Sequence, residues 1–395
     1  MLRVLTLSTL FPDASRPNFG IFVERQIMSL TKRDDVEVRV IAPVGIPPWP
    51  LSRLGRYRVL GDLPAREDWK GIEVHRPRFL NLPGTGGRFH AGAVLRAALP
   101  VAKAIRRDFP FDLITAEFFF PSGPAAVALG RHFGVPVSIT ARGSDIHYWA
   151  KAPGVGGQVI AAGQAASGML AVSEAMRDDM IALGLPPERI VANATGVDLT
   201  RFAPCDRKAA KAAMGIDGPL VVSLGALIPL KGHDILIDAM TRLTGVQLRI
   251  AGQGPEHDRL AARIAAHGLG DRVKLLGGVP HDEIAALVAA ADVMALASER
   301  EGLANAWLEA MASGTPVVIP DVGGARQVLR GGAAAGRLAE RSAEGFAAAI
   351  GATLADPPDP AAVRAVALPY TWEANSERLH AYYSGLASGS AMEPD

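Results

Sequence analysis

Short apolar runs rich in valine, isoleucine and leucine alternate with helix-period segments along almost the whole chain. No other feature restricts the fold as much. Runs at 2–7, 36–42, 112–115, 135–140, 168–172 and 189–193 read as strands, with helical stretches such as "GIFVERQIMSL" and "SEAMRDDMIAL" between them. Strand–helix alternation predicts parallel sheets covered on both faces, an α/β doubly wound architecture. The rhythm halts at "RFAPCDRKAAKAAMGIDGP", residues 201–219, which combines prolines, charges and glycines, and then restarts. "LVVSLG", "VQLRIAG", "VKLLG", "DVMALA" and "PVVIP" are strands. "HDILIDAMTRL", "EHDRLAARIAAHG", "HDEIAALVAAA" and residues 304–313 are helices. At 395 residues the chain exceeds one ordinary core. The expected organisation is a Rossmann-like domain over 1–200, a linker over 201–218, a second Rossmann-like domain over 219–368, and a helix with a frayed tail over 369–395.

One cysteine, Cys205, excludes an internal disulfide and a thiolate metal site, and fits a reducing compartment. The opening "MLRVLTLSTLF" is short and interrupted by threonine and serine, so it reads as a buried strand and not as a signal peptide. No run approaches the ~18 apolar residues that span a membrane. The expected location is cytoplasmic. The net charge is +1, but residues 1–110 hold 18 Lys/Arg against 10 Asp/Glu, a balance of +8 that leaves −7 for the remainder. A basic first half suits an anionic partner. Nucleic acid is not expected, because no basic stripe with stacking aromatics accompanies that near-zero total.

In open α/β sheets, ligands bind beyond the carboxyl ends of the strands, where glycine lets backbone come close. Such loops occur in both halves: "NFGIF" around Gly20, "ARGSD" at 141–145, "SLGALIPLKG" with Gly225, "AGQGP" with Gly254, "LGGVP" with Val279, and "DVGG" at 321–324. Placed on two domains, they describe facing walls of a cleft. The first strand is not followed by Gly-x-Gly-x-x-Gly, which counts against a nicotinamide or flavin enzyme, and no ATPase-type phosphate loop is present. There is no Asp-x-Asp and no close histidine cluster, so no cofactor and no protein-held metal is expected.

"REGLANAWLEAMASGTPV", residues 300–317, carries the chemistry. Glu301 and Glu309 stand eight positions apart, about 12 Å if fully helical. Glu301 precedes Gly302 and belongs to the loop, whereas Glu309 lies two turns inside an apolar, alanine-rich helix. A carboxylate kept there needs a partner. The separation suits the two ends of a folded nucleotide-sugar, one acid on sugar hydroxyls and the other on ribose hydroxyls. Between them, the N–H groups of Gly302, Leu303 and Ala304 at the helix start favour a diphosphate. Lys231 adds a full positive charge. Together these groups could stabilise a leaving diphosphate without a metal.

With these motifs the chain resembles retaining family-4 glycosyltransferases of the glycosyltransferase-B fold over nearly its whole length. "FGIFVERQIMSL" looks like that family's acceptor-side loop and first helix, and "AVSEAM" and "TGVDLTRF" look like its segments before the linker. "GALIPLKGHDILIDAM", "IAGQGP" and "EGLANAWLEAMASGTPVVIPDVGG" are similar to its donor domain. The resemblance implies that Glu301 binds the transferred sugar near the reacting carbon, that Glu309 holds the ribose, and that Lys231 binds the diphosphate. It implies that Val279 and its neighbours meet the base, and that Gly20 lets the N-terminal loop approach donor and acceptor. It also implies that the C-terminal helix, with Trp372, crosses back to the first domain. Departures from the pattern are Ala226 where the family has arginine, Arg142 where it has histidine, Gln327 for glutamate and Thr195 for asparagine. Arg142 or Arg300 is expected to supply the missing cation. Asp145 is read as a helix cap or as a group that orients Arg142 or a substrate hydroxyl. His147, His233 and His281 are read as loop or cap residues.

The expected activity is metal-independent transfer of a sugar from a UDP- or GDP-sugar, with retention, to a glycan or lipid-linked acceptor in polysaccharide or lipopolysaccharide assembly. The alternatives are a non-catalytic nucleotide-sugar binder of the same fold and a sugar-nucleotide epimerase. Within 43–89, Trp49, Leu51, Leu54 and Tyr57 accompany Arg53, Arg56 and Arg58. That mixture suits either a long solvated loop or an anionic membrane surface, the latter making the protein peripheral to the inner leaflet.

Overall fold

A computed structural model describes residues 1–330 and 332–389, apart from the side chains of Arg56 and Ala333; the last residues of the expected tail, 390–395, lie outside the described residues. In the first half the strands are β1 (Leu2–Ser8), β2 (Val36–Ile41), β3 (Val44–Ile46), β4 (Arg66–Trp69), β5 (Ile72–His75), β6 (Arg78–Leu80), β7 (Leu113–Glu117), β8 (Val137–Ala141), β9 (Gly168–Ala171) and β10 (Ile190–Ala192). The helices are α1 (Ile21–Leu30), α2 (Gly55–Gly61), α3 (His90–Ile105), α4 (Ser122–Phe133), α5 (Ser144–His147), α6 (Gly156–Ala165) and α7 (Glu174–Ala182). Eight strands form one sheet in the order β10-β9-β8-β7-β1-β2-β5-β4, parallel except for the edge strand β4. β1 is central because nearly every one of its residues is buried, the mark of a parallel strand covered on both faces. Its register is held by Arg3 N–H donating to Asp112 Oδ2 (2.7 Å) and by a Thr6–Thr115 hydroxyl pair (2.9 Å).

Residues 43–89 are more ordered than a solvated loop. β3 and β6 pair with each other, and β4 and β5 form a hairpin on the edge of the main sheet. The hairpin is anchored at Glu24 of α1, which accepts from Trp69 Nε1 (2.5 Å) and pairs with Lys70 (2.8 Å). These strands are only three or four residues long, too short for an alternating pattern to mark them in the sequence.

In the second half, α8 (Arg207–Ala213), α9 (His233–Ala239), α10 (His257–Ala266), α11 (His281–Ala290), α12 (Asn305–Ala312), α13 (Ala325–Val328), α14 (Ala343–Ala355) and α15 (Pro360–Ala367) surround a six-stranded parallel sheet. Its strands are β11 (Leu220–Leu224), β12 (Gln247–Ala251), β13 (Val273–Gly277), β14 (Val293–Ala295), β15 (Val317–Ile319) and β16 (Gly336–Leu338), in the order β13-β12-β11-β14-β15-β16.

The chain divides into Met1–Ala194 with everything from Trp372 onward, and Thr195–Thr371. Residues 201–218, expected as a linker, therefore fall inside the second unit. Asp206 caps α8 through Ala209 N–H (3.0 Å), and Lys211 Nζ reaches Asp292 (2.9 Å), which also accepts from the first residue of β11 (2.7 Å), so this segment is tied to the second sheet. The last helix, α16 (Trp372–Ser388), packs on the first unit, where Leu379, Tyr382 and Tyr383 join Val23, Ile27 and Leu170 in one core cluster. Each such side chain contributes roughly 1.5–3 kcal/mol of burial. Ser29 Oγ donates to the Trp372 carbonyl (2.8 Å) and fixes where the helix begins.

Candidate active site

In the second unit the strands deliver their glycine loops to the carboxyl end of the sheet. β11 ends at Leu224, and the chain then turns through Gly225 to the short 3₁₀ segment Pro229–Lys231. Packing between this loop and the one after β12 requires glycine. A Cβ on Gly252 would lie 1.8 Å from the Gly225 oxygen, and one on Gly254 would lie 2.3 Å from the Leu227 oxygen. Gly225 leaves room for the Lys231 stem, whose Cδ lies 3.5 Å from the position a Cβ would take. Gly232, with φ of 62°, turns the chain against Ala297, and Glu299 N–H donates to the Leu230 carbonyl (2.8 Å). The result is an ion pair of partly buried groups. Lys231 Nζ lies 2.5 Å from Glu301 Oε1, and Ser298 Oγ donates to the same oxygen at 2.6 Å.

The Gly323–Gly324 pair shapes the backbone under that carboxylate. Gly323 has φ of 51°, and a Cβ there would meet the Glu301 backbone carbonyl oxygen at 2.1 Å. Gly324 N–H donates to the Gly302 carbonyl at 2.8 Å. The helix begins one residue later than expected, at Asn305, with Ala304 as its extended N-cap and no side-chain cap. Among the described residues, the N–H groups of Gly302, Leu303 and Ala304 donate no hydrogen bond within the chain. They retain the partial positive charge of a helix start.

Glu309, two-thirds along α12, has the partner that its apolar neighbours demand: His281 Nε2 lies 3.3 Å from its Oε1. Val279, two residues before His281, is half-buried in the loop after β13. His233 opens α9, with Nδ1 3.2 Å from Ser223 Oγ. Burial, reinforced by the nearby Lys231 charge, pushes its ring down to about 4, against the pull of the Gly225 and Ala226 carbonyls. Its deep position is a feature that sequence reasoning missed; the signal was its place directly after the lysine–glycine turn.

The first unit brings Gly20, Arg142 and Asp145 to the carboxyl end of its own sheet. Gly20 has φ of 71°, and a Cβ there would lie 2.5 Å from the Leu10 oxygen, so glycine is required by the chain's own turn into α1. The Arg142 guanidinium is nearly buried and paired with Glu117, and its Nη2 also donates to Gln26 Oε1 at 2.9 Å. Its charge thus already has a carboxylate partner, as that of Lys231 has in Glu301. Glu117, at the end of β7, also accepts from Gln26 (3.1 Å) and Thr140 (3.3 Å). Asp145 is fully buried and accepts from the amides of Phe119 (3.0 Å), Arg142 (3.0 Å) and Gly143 (2.8 Å). Burial pushes its carboxyl up, against the pull of those amides. It holds the loop shape and does not touch the Arg142 side chain. Arg300, the other candidate cation, is half-exposed and lies 4.0 Å from Glu299. His147 meets Asp179 at 2.8 Å.

Both sheets thus carry glycine loops at their carboxyl ends, and the second adds a lysine–glutamate pair beside an uncapped helix start. Residues 22–196 match the family model described as Glycosyl transferase 4-like domain, and residues 206–367 match the one described as Glycosyl transferases group 1. The chain belongs to the family-4 glycosyltransferases of the glycosyltransferase-B fold. This family-4 glycosyltransferase is similar to TuaC of Bacillus subtilis (strain 168), a glycosyltransferase assigned to teichuronic acid biosynthesis. The two are 29% identical over 331 residues, 82% of each chain. Two solved structures share the fold. Sucrose-phosphate synthase from Thermosynechococcus elongatus has a TM-score of 0.82 at 21% identity, covering 99% of this chain and 100% of that one. Anabaena HepE in complex with UDP has a TM-score of 0.75 at 21% identity, covering 98% and 100%. Among the described residues, no helix is long and apolar enough to cross a membrane, and no group of three or more His, Cys, Asp or Glu side chains is placed to hold a metal ion.

Proposed function

We propose that this glycosyltransferase is a retaining, metal-independent hexosyltransferase. It moves a sugar from a UDP- or GDP-sugar to a glycan or lipid-linked acceptor in cell-surface polysaccharide assembly. The observation that carries the reading is the Lys231–Glu301 contact, which sets one cation and one acid at the mouth of the second sheet beside the unbonded amides of Gly302, Leu303 and Ala304 that lead into α12. Lys231 and those amides would neutralise the diphosphate as the glycosidic bond breaks. Glu301 would accept from sugar hydroxyls near the reacting carbon, and Glu309 would accept from the ribose. The acceptor oxygen would bond to the anomeric carbon on the face the diphosphate leaves, passing its proton to a departing phosphate oxygen. UDP in the HepE complex and the polysaccharide role of TuaC support the donor class and the acceptor class.

The membrane-facing part of the proposal rests on Trp49, 79% exposed, with Leu51, Leu54 and Val59 also exposed beside the exposed Arg53 and Arg58. This surface suits an anionic leaflet.

Donor hydrolysis and transfer by the wild type, Glu301→Ala and Glu309→Ala proteins, assayed with UDP- and GDP-sugars with and without EDTA, test the reading. Glu301→Ala should lower turnover at least a hundredfold while nucleotide still binds, an effect of the size that loss of one transition-state contact has elsewhere. Glu309→Ala should chiefly weaken nucleotide binding, and EDTA should change neither. Wild-type rates and affinities in both variants would remove these roles. A bound donor without turnover would favour a non-catalytic binder, and an altered free sugar would favour an epimerase.

A further inference from the structure

We propose that His281 is a positioning residue for Glu309, locked in one tautomer by Arg201. His281 opens α11, and its two ring nitrogens face different neighbours: Nε2 lies 3.3 Å from Glu309 Oε1, and Nδ1 lies 3.2 Å from Arg201 Nη1. A guanidinium has only N–H donors. Nδ1 must therefore offer its lone pair, which puts the ring proton on Nε2, where it donates to the Glu309 carboxylate. The tautomer follows from the identity of the neighbours. The edge-on Phe202 ring, 5.3 Å away at 83°, holds the plane of the imidazole.

Arg201 is itself held in place. Asp198 Oδ1 accepts the N–H groups of Thr200 and Arg201, both at 3.0 Å, which forms a tight turn in "TGVDLTRF". Arg201 Nε also meets Asp282 at 3.2 Å. Arg364 donates to the carbonyls of Leu199 (2.9 Å) and Phe202 (2.7 Å), and to that of Ala312 at the end of α12. One arginine thus ties the loop that carries Arg201 to the helix that carries Glu309. The chain Arg201→His281→Glu309 fixes one carboxylate oxygen, and a fixed carboxylate meets a hydroxyl pair with less ordering cost than a rotating one. A similar logic governs the groups that orient histidine ligands in metal sites.

The inference rests on the reading of Glu309 as the ribose acceptor, and the experiment separates the two. Binding of UDP and GDP and of their 2′,3′-dideoxy forms would be measured by calorimetry on the wild type and on His281→Phe, His281→Gln, Arg201→Met and Glu309→Ala, with melting temperatures as a folding control. The expected result is that His281→Phe binds the ribose forms about tenfold more weakly, the scale of one hydrogen bond, while dideoxy binding holds. His281→Gln, whose amide can donate from the Nε2 position, recovers most of the difference, and Arg201→Met loses part of it. If Glu309→Ala abolishes ribose discrimination but both His281→Phe and Arg201→Met retain it, the positioning role is wrong and the ribose reading stands. If Glu309→Ala keeps full discrimination, the ribose reading fails and this inference with it. An equal loss for ribose and dideoxy forms in His281→Phe would mark a merely structural histidine and overturn the proposal.

Discussion

His233 is 2% exposed and carries an imidazole that burial holds at about 4 instead of its usual 6.5. The folded ring stays neutral across that interval, while the unfolded chain takes up a proton as soon as the pH drops below 6.5. Stability is therefore unaffected above 6.5 and falls as pH falls toward 4, by up to roughly 3 kcal/mol for a shift of this size. His233→Asn keeps a polar partner for Ser223 and removes the titration. Its thermal midpoint should fall less steeply than that of the wild type between pH 6.5 and 4. Equal slopes would mean that other groups dominate acid unfolding. Other residues differ in how far sequence alone located their partners. Glu309 inside an apolar helix announced that it needed one, but the identity of that partner, His281, came only from the fold. For Arg142 the sequence suggested a cation free for phosphate, and the fold supplied Glu117 as its counter-ion.

At the scale of elements, the glycine loops act as spacers between backbones. Gly323 illustrates this, since its φ is 51° and a Cβ added there would lie 2.1 Å from the Glu301 backbone carbonyl oxygen. Gly323→Ala should cost about 1–2 kcal/mol for the left-handed backbone alone. It should also displace the loop that carries Glu301. On the role proposed for Glu301, the expected outcome is a modest drop in melting temperature together with at least a tenfold loss of turnover, because displacement of a reacting group by about 1 Å is penalised far more than the fold. Activity at the wild-type level would show that the loop adjusts without moving the carboxylate. The β3–β6 pair and the β4–β5 hairpin leave little trace in the sequence pattern. Strands of three or four residues carry too few alternations for periodicity to register; the place of the β4–β5 hairpin is set by docking against α1 and β2, and β3 packs Val44 against Leu60 and Leu63.

For the whole molecule, the +8 balance of residues 1–110 and the exposed Trp49, Leu51, Leu54 and Val59 make an electrostatic prediction. The protein should float with vesicles containing phosphatidylglycerol and not with neutral phosphatidylcholine. Salt should weaken the association, because the screening length shrinks to about 8 Å at physiological ionic strength. Replacing Trp49 and Leu54 with serine should abolish it. Failure to float with either vesicle would remove the membrane surface from the proposal. The sequence by itself determined the class of architecture, two parallel α/β sheets. Buried parallel strands must be almost continuously apolar and their crossovers must be helices, and both patterns are local. It also determined which loops carry glycine and which carry acid. The tertiary structure decided what sequence separation hides: the division after Ala194, the docking of α16 on α1, the Lys231–Glu301 contact across 70 residues, and the Arg201–His281–Glu309 chain. The physical reason is that burial period and turn chemistry depend on neighbours along the chain. A charge, by contrast, finds its counter-charge or hydrogen-bond partner only after distant strands have brought their loops to the same end of a sheet.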